Sequence, residues 1–449
     1  MQLSDIKHVH MIGIKGTGMS ALALMLTKFG IRVSGSDTKD SFLLLDKKNF
    51  VKNRIKIFPE FKAKNISKEV DLAIVSTSHN KGGNPEVKEI KRRGIKLITY
   101  PQMLSMITRE LPSIAIIGSH GKTTTTNLLG HIALNNGIRS AVLSGPTSQQ
   151  VLNEAKKDPE SFIFEADEYE NKLRHYNPQM VILTSVDYDH PDFFKTPTQY
   201  KNVFKNFIKR IPKTGLLIYC ADDKNVREVA KLAKCKTLAY GISSHAKIKT
   251  RIIKPHLFEV LHGRNKARIK TPLIGTHNSL NATAVLLASR ELGITNKQFQ
   301  KSLSTFKGSP RRLEKISTKP LIYDDYGHHP NEIRAAIRAL RDEYPKHEIW
   351  TVFQPHTYTR TKKFLKEFGK SFEDSDHTIV LDIWGSARED SGMVHSTDLM
   401  FEIGKNGDTV YHLPSMKKAA RFLKNIMKKD TLILTIGAGD IWKIHELLV

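Results

Sequence analysis

The run Gly118-Ser119-His120-Gly121-Lys122-Thr123-Thr124 constrains this chain more than any other part of it. An apolar stretch at 114–117 precedes it and a helical stretch at 125–134 follows. Strand, glycine turn, Lys-Thr and helix, in that order, let backbone N–H groups and a helix N-terminus wrap a polyphosphate. The Lys122 ammonium can reach terminal phosphates, and the Thr123 hydroxyl can ligate Mg²⁺. The loop is short for the usual nucleotide pattern, which needs glycine where Ile116 stands. A glycine turn that only lets a helix pack on its strand would explain the glycines. It would not explain the Gly-Lys-Thr-Thr ending, so a nucleoside triphosphate site is expected.

With 449 residues, the chain predicts two to four domains. No apolar run is long enough to cross a membrane. Residues 1–5 are expected to lead directly into a strand, without the basic start and apolar stretch of a signal peptide. Two cysteines, Cys220 and Cys235, imply neither a metal cluster nor a disulfide scaffold, and a reducing cytoplasm is expected. The formal charge of +26 raises nucleic-acid binding as a question. The lysines are spread in short helical faces such as Lys417-Lys418 and Lys428-Lys429, with no arginine-rich arm. Most of the excess therefore reads as solvated surface, part of it suited to anionic small molecules, and no nucleic-acid partner is expected.

Periodicity predicts an α/β protein of three domains. In residues 1–108, strands are expected at 9–14, 31–37, 71–76 and 95–99, with a helix at 19–29. A linker follows near 109–113. Residues 109–308 hold the phosphate loop and strands at 141–143, 162–164, 180–184 and 215–219. Short strands are expected in an insertion at 242–272, then a helix at 278–292. After a boundary near 307–310, residues 309–449 carry strands at 321–323, 348–353, 378–382 and 431–436, with helices starting near Asn331, Thr359, Thr397 and Met416.

Further motifs fall at strand ends, where open parallel sheets bind ligands. Gly13, Gly16, Thr17, Gly18 and Met19 lie between the first strand and its helix, and Asp37 ends the next strand. Their Gly-x-x-Gly-x-Gly spacing departs from the NAD fingerprint and suits the diphosphate of another nucleotide. Glu165, Asp167 and Glu168 follow a strand, where a carboxylate can hold Mg²⁺ beside phosphates. Asp189-His190 ends another. Asn278 and Asn281 lie one helical turn apart and can read an adenine edge, or Asn278 caps the helix. Arg312, Asp325, His328, His356 and Arg360 cluster after strands of the third domain. Arg312 and Arg360 are candidates to neutralise a transferring phosphoryl group when domains close, Arg360 without holding the free enzyme together.

Taken in order, the phosphate loop, 165–168, Asp189-His190, 277–281 and 324–330 resemble the Mur ligases, ATP-dependent amide-forming enzymes of peptidoglycan precursor synthesis. The resemblance spans essentially the full length. It implies a Rossmann-like N-terminal domain, a central P-loop ATPase domain and a Rossmann-like C-terminal domain. Ser34-Gly35-Ser36-Asp37, Gly437-Ala438-Gly439-Asp440 and the run 353–361, FQPHTYTRT, are similar to the members that attach L-alanine to UDP-N-acetylmuramate. Glu168-Tyr169 and 174–176 have some likeness to the member that attaches a tripeptide to the same sugar nucleotide. Phe204, with Lys205 beside it, falls where several members carry a carbamylated lysine that the alanine-adding members lack.

The resemblance implies ATP and Mg²⁺ as cofactors, UDP-N-acetylmuramate and L-alanine as substrates, and a monomer or homodimer. Thr123, Glu165 and His190 would line the metal sites. Asn278, Asn281, Arg312 and Asp325 would bind ATP with the 118–124 loop. The 13–19 turn and Asp37 would bind the UDP-sugar. Lys122, His190, His328, His356 and Arg360 would approach the reacting groups. Two rivals of other classes remain. An RNA-associated NTPase leaves the C-terminal motifs unexplained, and a dehydrogenase built on the N-terminal glycines leaves the phosphate loop unexplained.

Overall fold

The computed structural model describes residues 2–38, 47–79, 83–145, 147–385 and 391–449. They form two compact units, each assembled from separated segments. Met1–Val186, Asn202–Lys249 and Asn281–Lys307 make the first, and Asp187–Lys201, Thr250–Leu280 and Gly308–Val449 the second.

Two parallel sheets organise the first unit. One contains β1 (His8–Ile12), β2 (Arg32–Ser36), β3 (Lys56–Phe58), β4 (Leu72–Val75) and β5 (Lys96–Thr99), in the order β3-β2-β1-β4-β5. Every residue of β1 and β4 is buried, as expected for strands covered on both faces. The order reverses at β1, so the glycine turn after Ile12 opens where such sheets bind ligands. The other sheet contains β6 (Ser113–Ile117), β7 (Ser140–Leu143), β8 (Ser161–Glu165), β9 (Met180–Leu183), β10 (Leu216–Cys220) and β11 (Lys236–Gly241). They run β11-β10-β9-β6-β8-β7, and β6, flanked by β8 and β9, leads into the phosphate loop. β11 also pairs with the start of β12 (Ile248–Lys254), Tyr240 opposite Ile248.

In the second unit β13 (Leu257–His262) and β14 (Asn265–Lys270) form an antiparallel hairpin. Its main sheet is β15-β16-β20-β17-β18-β19. These are β15 (Glu314–Thr318), β16 (Leu321–Asp325), β17 (Glu348–Phe353), β18 (His377–Val380), β19 (Thr409–His412) and β20 (Thr431–Ile436). Only β15 runs antiparallel to its neighbour. Alternation along β20 sends Leu432, Leu434 and Ile436 into one core and Ile433 into the other, so both faces are covered. The helix Met416–Ile426 buries Ala419, Ala420 and Leu423 on one stripe and turns its lysines outward.

Several expectations need correction. The chain does not lead directly into a strand, because Leu3–Asp5 first forms a 3₁₀ turn closed by the Asp5 carboxylate on the Gln2 N–H. The first strand stops at Ile12, since Gly13 turns back and donates to the Ser36 carbonyl. Residues 109–113 carry the chain from the helix Tyr100–Glu110 into β6. The helix ends at Glu110, whose carboxylate accepts from the Leu3 N–H at 2.9 Å. β3, β15 and β19 were not anticipated. They are short, and all three lie at sheet edges, where one side is unpaired. Cys220 and Cys235 are free thiols. Among the described residues no helix is long and apolar enough to cross a membrane.

Candidate active-site residues

The 118–124 loop is built by close approach. Gly118 has φ +134°, and a Cβ there would strike the Thr184 hydroxyl and come within 2.9 Å of the Ser185 backbone. That closeness lets Ser119 and His120 donate their N–H groups to the Ser185 carbonyl and hydroxyl, at 3.1 and 2.9 Å. Gly121, at φ +79°, is the N-cap of the helix Lys122–Asn135, and a Cβ on it would lie 2.8 Å from Asn281 Oδ1. The Asn281 amide is therefore held against the loop. Gly118→Ala is expected to destabilise the fold by about 1–3 kcal/mol, because the backbone there is strained for any residue with a Cβ. ATP binding should weaken as the loop shifts. Thermal melting and nucleotide titration would check both.

The loop's cation is engaged. Lys122 Nζ donates to the Gly118 carbonyl and lies 3.0 Å from Glu168 Oε2, with the two side chains 13% and 1% exposed. Burial opposes the ammonium, but the Glu168, Glu165 and Asp167 carboxylates outweigh it and hold the Lys122 pKa above its ordinary value. The Thr123 hydroxyl donates to Glu165 Oε2 at 2.9 Å. A hydroxyl and a carboxylate at this separation, beside a lysine and a helix N-terminus, fit a magnesium–polyphosphate group, since hard cations take oxygen ligands. Thr124 is buried in the first turn of the same helix.

In the N-terminal turn, Gly13 and Ile14 donate to the Ser36 carbonyl at 2.9 and 3.2 Å, and Lys15 donates to Asp37 Oδ2 at 2.9 Å. Asp37 is buried and fixes the turn from the end of β2. Gly16 is the N-cap of the helix Thr17–Lys28, whose Met19 is buried. A Cβ on Gly18 would lie 3.4 Å from the Tyr100 ring, and one on Gly145 would lie 4.0 Å from the Thr17 methyl. The Gly145 N–H in turn donates to Glu165 Oε2 at 3.2 Å. Within the first unit, the helix start at Thr17 and the carboxylate beside the phosphate loop thus border the same glycine. Phe204 is buried in the helix Pro197–Ile208, and Lys205 pairs with Glu228.

The second unit gathers the remaining residues around two strand ends. After β16, the Asp325 carboxylate accepts the Gly327 and Leu313 N–H groups at 2.7 and 2.8 Å. Burial pushes its pKa up to about 6, against the pull of Arg312. The Arg312 guanidinium lies 5.0 Å from the Tyr326 ring centroid. His328 Nδ1 faces the Tyr326 carbonyl at 3.1 Å, which places the proton of the neutral ring on Nδ1. Burial, reinforced by Arg360, drives the His328 pKa down to about 3. After β17, Arg360 NH1 lies 3.3 Å from His356 Nδ1, and its Nε donates to Asp189 Oδ1 at 2.9 Å. Although burial opposes ionisation, the Arg360 guanidinium holds the Asp189 carboxyl well below the usual range. His190, at φ +57°, lies 3.8 Å from Asp189 Oδ2.

Two sequence expectations change here. Arg360 is 4% exposed and ion-paired, so it does contribute to holding the protein together. Asn278 does not cap its helix. The helix is Thr276–Glu291, and the Asn278 amide donates to the Ile274 carbonyl at 2.9 Å. Gln354, within the FQPHTYTRT run, is committed to the fold, because its amide bridges Asp440 Oδ1 and the Ile441 N–H. Sequence reasoning missed Glu332, whose carboxylate accepts the N–H groups of both His328 and His329. A His-Pro-Asn-Glu helix start is a capping signal that could have revealed it.

The family models that match are the Mur ligase family catalytic domain over residues 8–111, the Mur ligase middle domain over 116–289 and the Mur ligase glutamate ligase domain over 311–439. The UDP-N-acetylmuramate–L-alanine ligase of Acetivibrio thermocellus is 36% identical over 99% of this chain and 96% of its own length. The protein of that name from Alkaliphilus metalliredigens is 34% identical over 100% and 98%. Among solved structures, the UDP-N-acetylmuramate–alanine ligase of Thermotoga maritima superposes with a TM-score of 0.77 at 22% identity, covering 98% of both chains. Identity sustained from end to end, with three family models matched in succession along the sequence, means that the chain belongs to the Mur ligase family.

Proposed function

We propose that this chain is the ATP-dependent ligase that joins L-alanine to UDP-N-acetylmuramate in peptidoglycan precursor synthesis. The observation that carries the reading is identity of 32–36% with ligases of that activity over nearly the whole chain. The bordering of Gly145 by both Thr17 and Glu165 supports it, since a sugar nucleotide on the N-terminal turn then lies near the ATP loop.

The muramoyl carboxylate attacks the γ-phosphorus of ATP, ADP leaves, and an acyl phosphate forms. The L-alanine amine then attacks the acyl carbon, phosphate leaves, and the nitrogen loses a proton. No enzyme nucleophile is needed, so positioning and charge neutralisation carry the rate. Lys122 balances the phosphoryl charge. Thr123, Glu165 and His190 are the proposed magnesium ligands, and the ion when bound screens the phosphates. Asn278, Asn281, Arg312 and Asp325 hold ATP, while His328, His356 and Arg360 face the reacting groups. The 13–19 turn and Asp37 hold the UDP diphosphate. A cytoplasmic location is part of the same proposal, because its nucleotide substrates are water-soluble.

The test is a product assay with ATP, UDP-N-acetylmuramate, a panel of amino acids, and the tripeptide. Amide formation and phosphate release with L-alanine are expected. Ligation of the tripeptide alone would move the assignment to cell-wall recycling. Phosphate release stimulated by RNA and not by the sugar nucleotide would overturn it.

A further inference from the structure

The N-terminal domain contains a buried carboxylate for which the chemistry above has no use. Glu86, in the first turn of the helix Pro85–Arg92, is fully buried. One oxygen accepts from the Asn65 amide at 2.7 Å and the Lys62 N–H at 3.3 Å. The other accepts the Ser36 hydroxyl and lies 3.5 Å from His10 Nε2. Asn84 already caps this helix by accepting the Glu86 N–H at 2.9 Å, so the inward carboxylate is not needed as its cap.

A polar chain with one consistent direction leads to Glu86. The Arg32 guanidinium can only donate, and it lies 2.7 Å from His8 Nδ1. Burial, with Arg32, pushes the His8 pKa down to about 4, so the ring is neutral and carries its proton on Nε2. That proton goes to Ser34 Oγ at 2.9 Å. The Ser34 hydroxyl then donates to His10 Nδ1 at 3.0 Å, leaving the His10 proton on Nε2, facing Glu86. The chain ends with His10 Nε2 turned toward the Glu86 carboxylate at 3.5 Å, an electrostatic contact longer than a hydrogen bond. The hydrogen bonds that Glu86 accepts from Ser36, Asn65 and the Lys62 N–H fix the local geometry more tightly than apolar packing does.

Ser36 is where the network meets the proposed sugar-nucleotide site. Its hydroxyl is held by Glu86, while its carbonyl holds the Gly13 and Ile14 N–H groups and the next residue, Asp37, holds Lys15. We infer that Glu86 is a positioning residue for the sugar nucleotide: through Ser36 it sets the glycine turn that receives the diphosphate. The inference rests on the substrate assignment of the preceding subsection.

Kinetics of Glu86→Gln and Ser36→Ala would test it. In both, the KM for UDP-N-acetylmuramate should rise by roughly tenfold, the scale of one lost buried charge-assisted hydrogen bond. The KM for ATP and the kcat at saturation should stay near the parent values. Ser36→Ala loses only a hydroxyl, so it decides the matter if Glu86→Gln does not fold. Losses spread equally over all parameters, or an unchanged KM for the sugar nucleotide, would reduce Glu86 to a structural residue. A parent protein that does not use UDP-N-acetylmuramate at all would overturn the substrate assignment itself.

Discussion

Lys122→Ala should lower amide formation by roughly 10²–10³, the usual cost of removing one preorganised donor from a developing charge. The structure adds a second expected effect. Lys122 and Glu168 are a buried pair at 3.0 Å, and truncating the lysine leaves a carboxylate with 1% exposure beside Glu165 and Asp167. Breaking such a pair from one side commonly costs about 3–5 kcal/mol, far more than the pair is worth when both partners are replaced. A lower melting temperature therefore accompanies the lost rate, and the two effects need separating. The double variant Lys122→Ala/Glu168→Gln removes the stranded charge. It should recover most of the melting temperature and none of the ligation. Near-parental turnover in the single variant would show that the lysine has no part in phosphoryl transfer.

Arg360→Ala should likewise cost on the order of 10² or more in rate and about 3–5 kcal/mol in stability, because it strands the buried Asp189 carboxylate. The informative variant is Arg360→Lys. A lysine keeps the charge, but as a point and not a planar fork. It cannot both lie along Asp189 Oδ1 through Nε and reach His356 through NH1, as the arginine does at 2.9 and 3.3 Å. The lysine variant should melt near the parent and ligate poorly, with ATP affinity unchanged. Melting temperature, ATP titration and amide formation distinguish the cases. A lysine variant that melts and ligates like the parent would confine Arg360 to a structural role.

The parts of the site legible in the sequence were those carried by local pattern. The phosphate loop, the N-terminal glycine turn and the strand ends at Glu165 and Asp325 each sit within a few residues of the strand that presents them. Partnerships across long separations were not legible. Asp189 and Arg360 are 171 residues apart, and nothing local in either motif announces that one neutralises the other. Glu86 hid for a different reason. Asn84-Pro85-Glu86 reads as an ordinary solvent-facing helix start, and only the fold turns that carboxylate inward against β1 and β2. The edge strands β3, β15 and β19 escaped because edge strands lack the continuous apolar signature that exposed β1, β6 and β20.

The second unit's composition bears on when it can exist during synthesis. Its first two segments, Asp187–Lys201 and Thr250–Leu280, emerge from the ribosome before Gly308–Val449. Tyr188 and Ile274, from those early segments, pack against a core whose other members, from Leu313 to Ile436, are not yet translated. The first unit is complete in sequence at Lys307, and the second cannot close until the final strand, Thr431–Ile436, has been made. Domains generally fold in the order they are translated. For the last third of elongation the nascent chain therefore holds two segments whose Tyr188 and Ile274 still wait for their core, and truncation before β20 leaves that core incomplete.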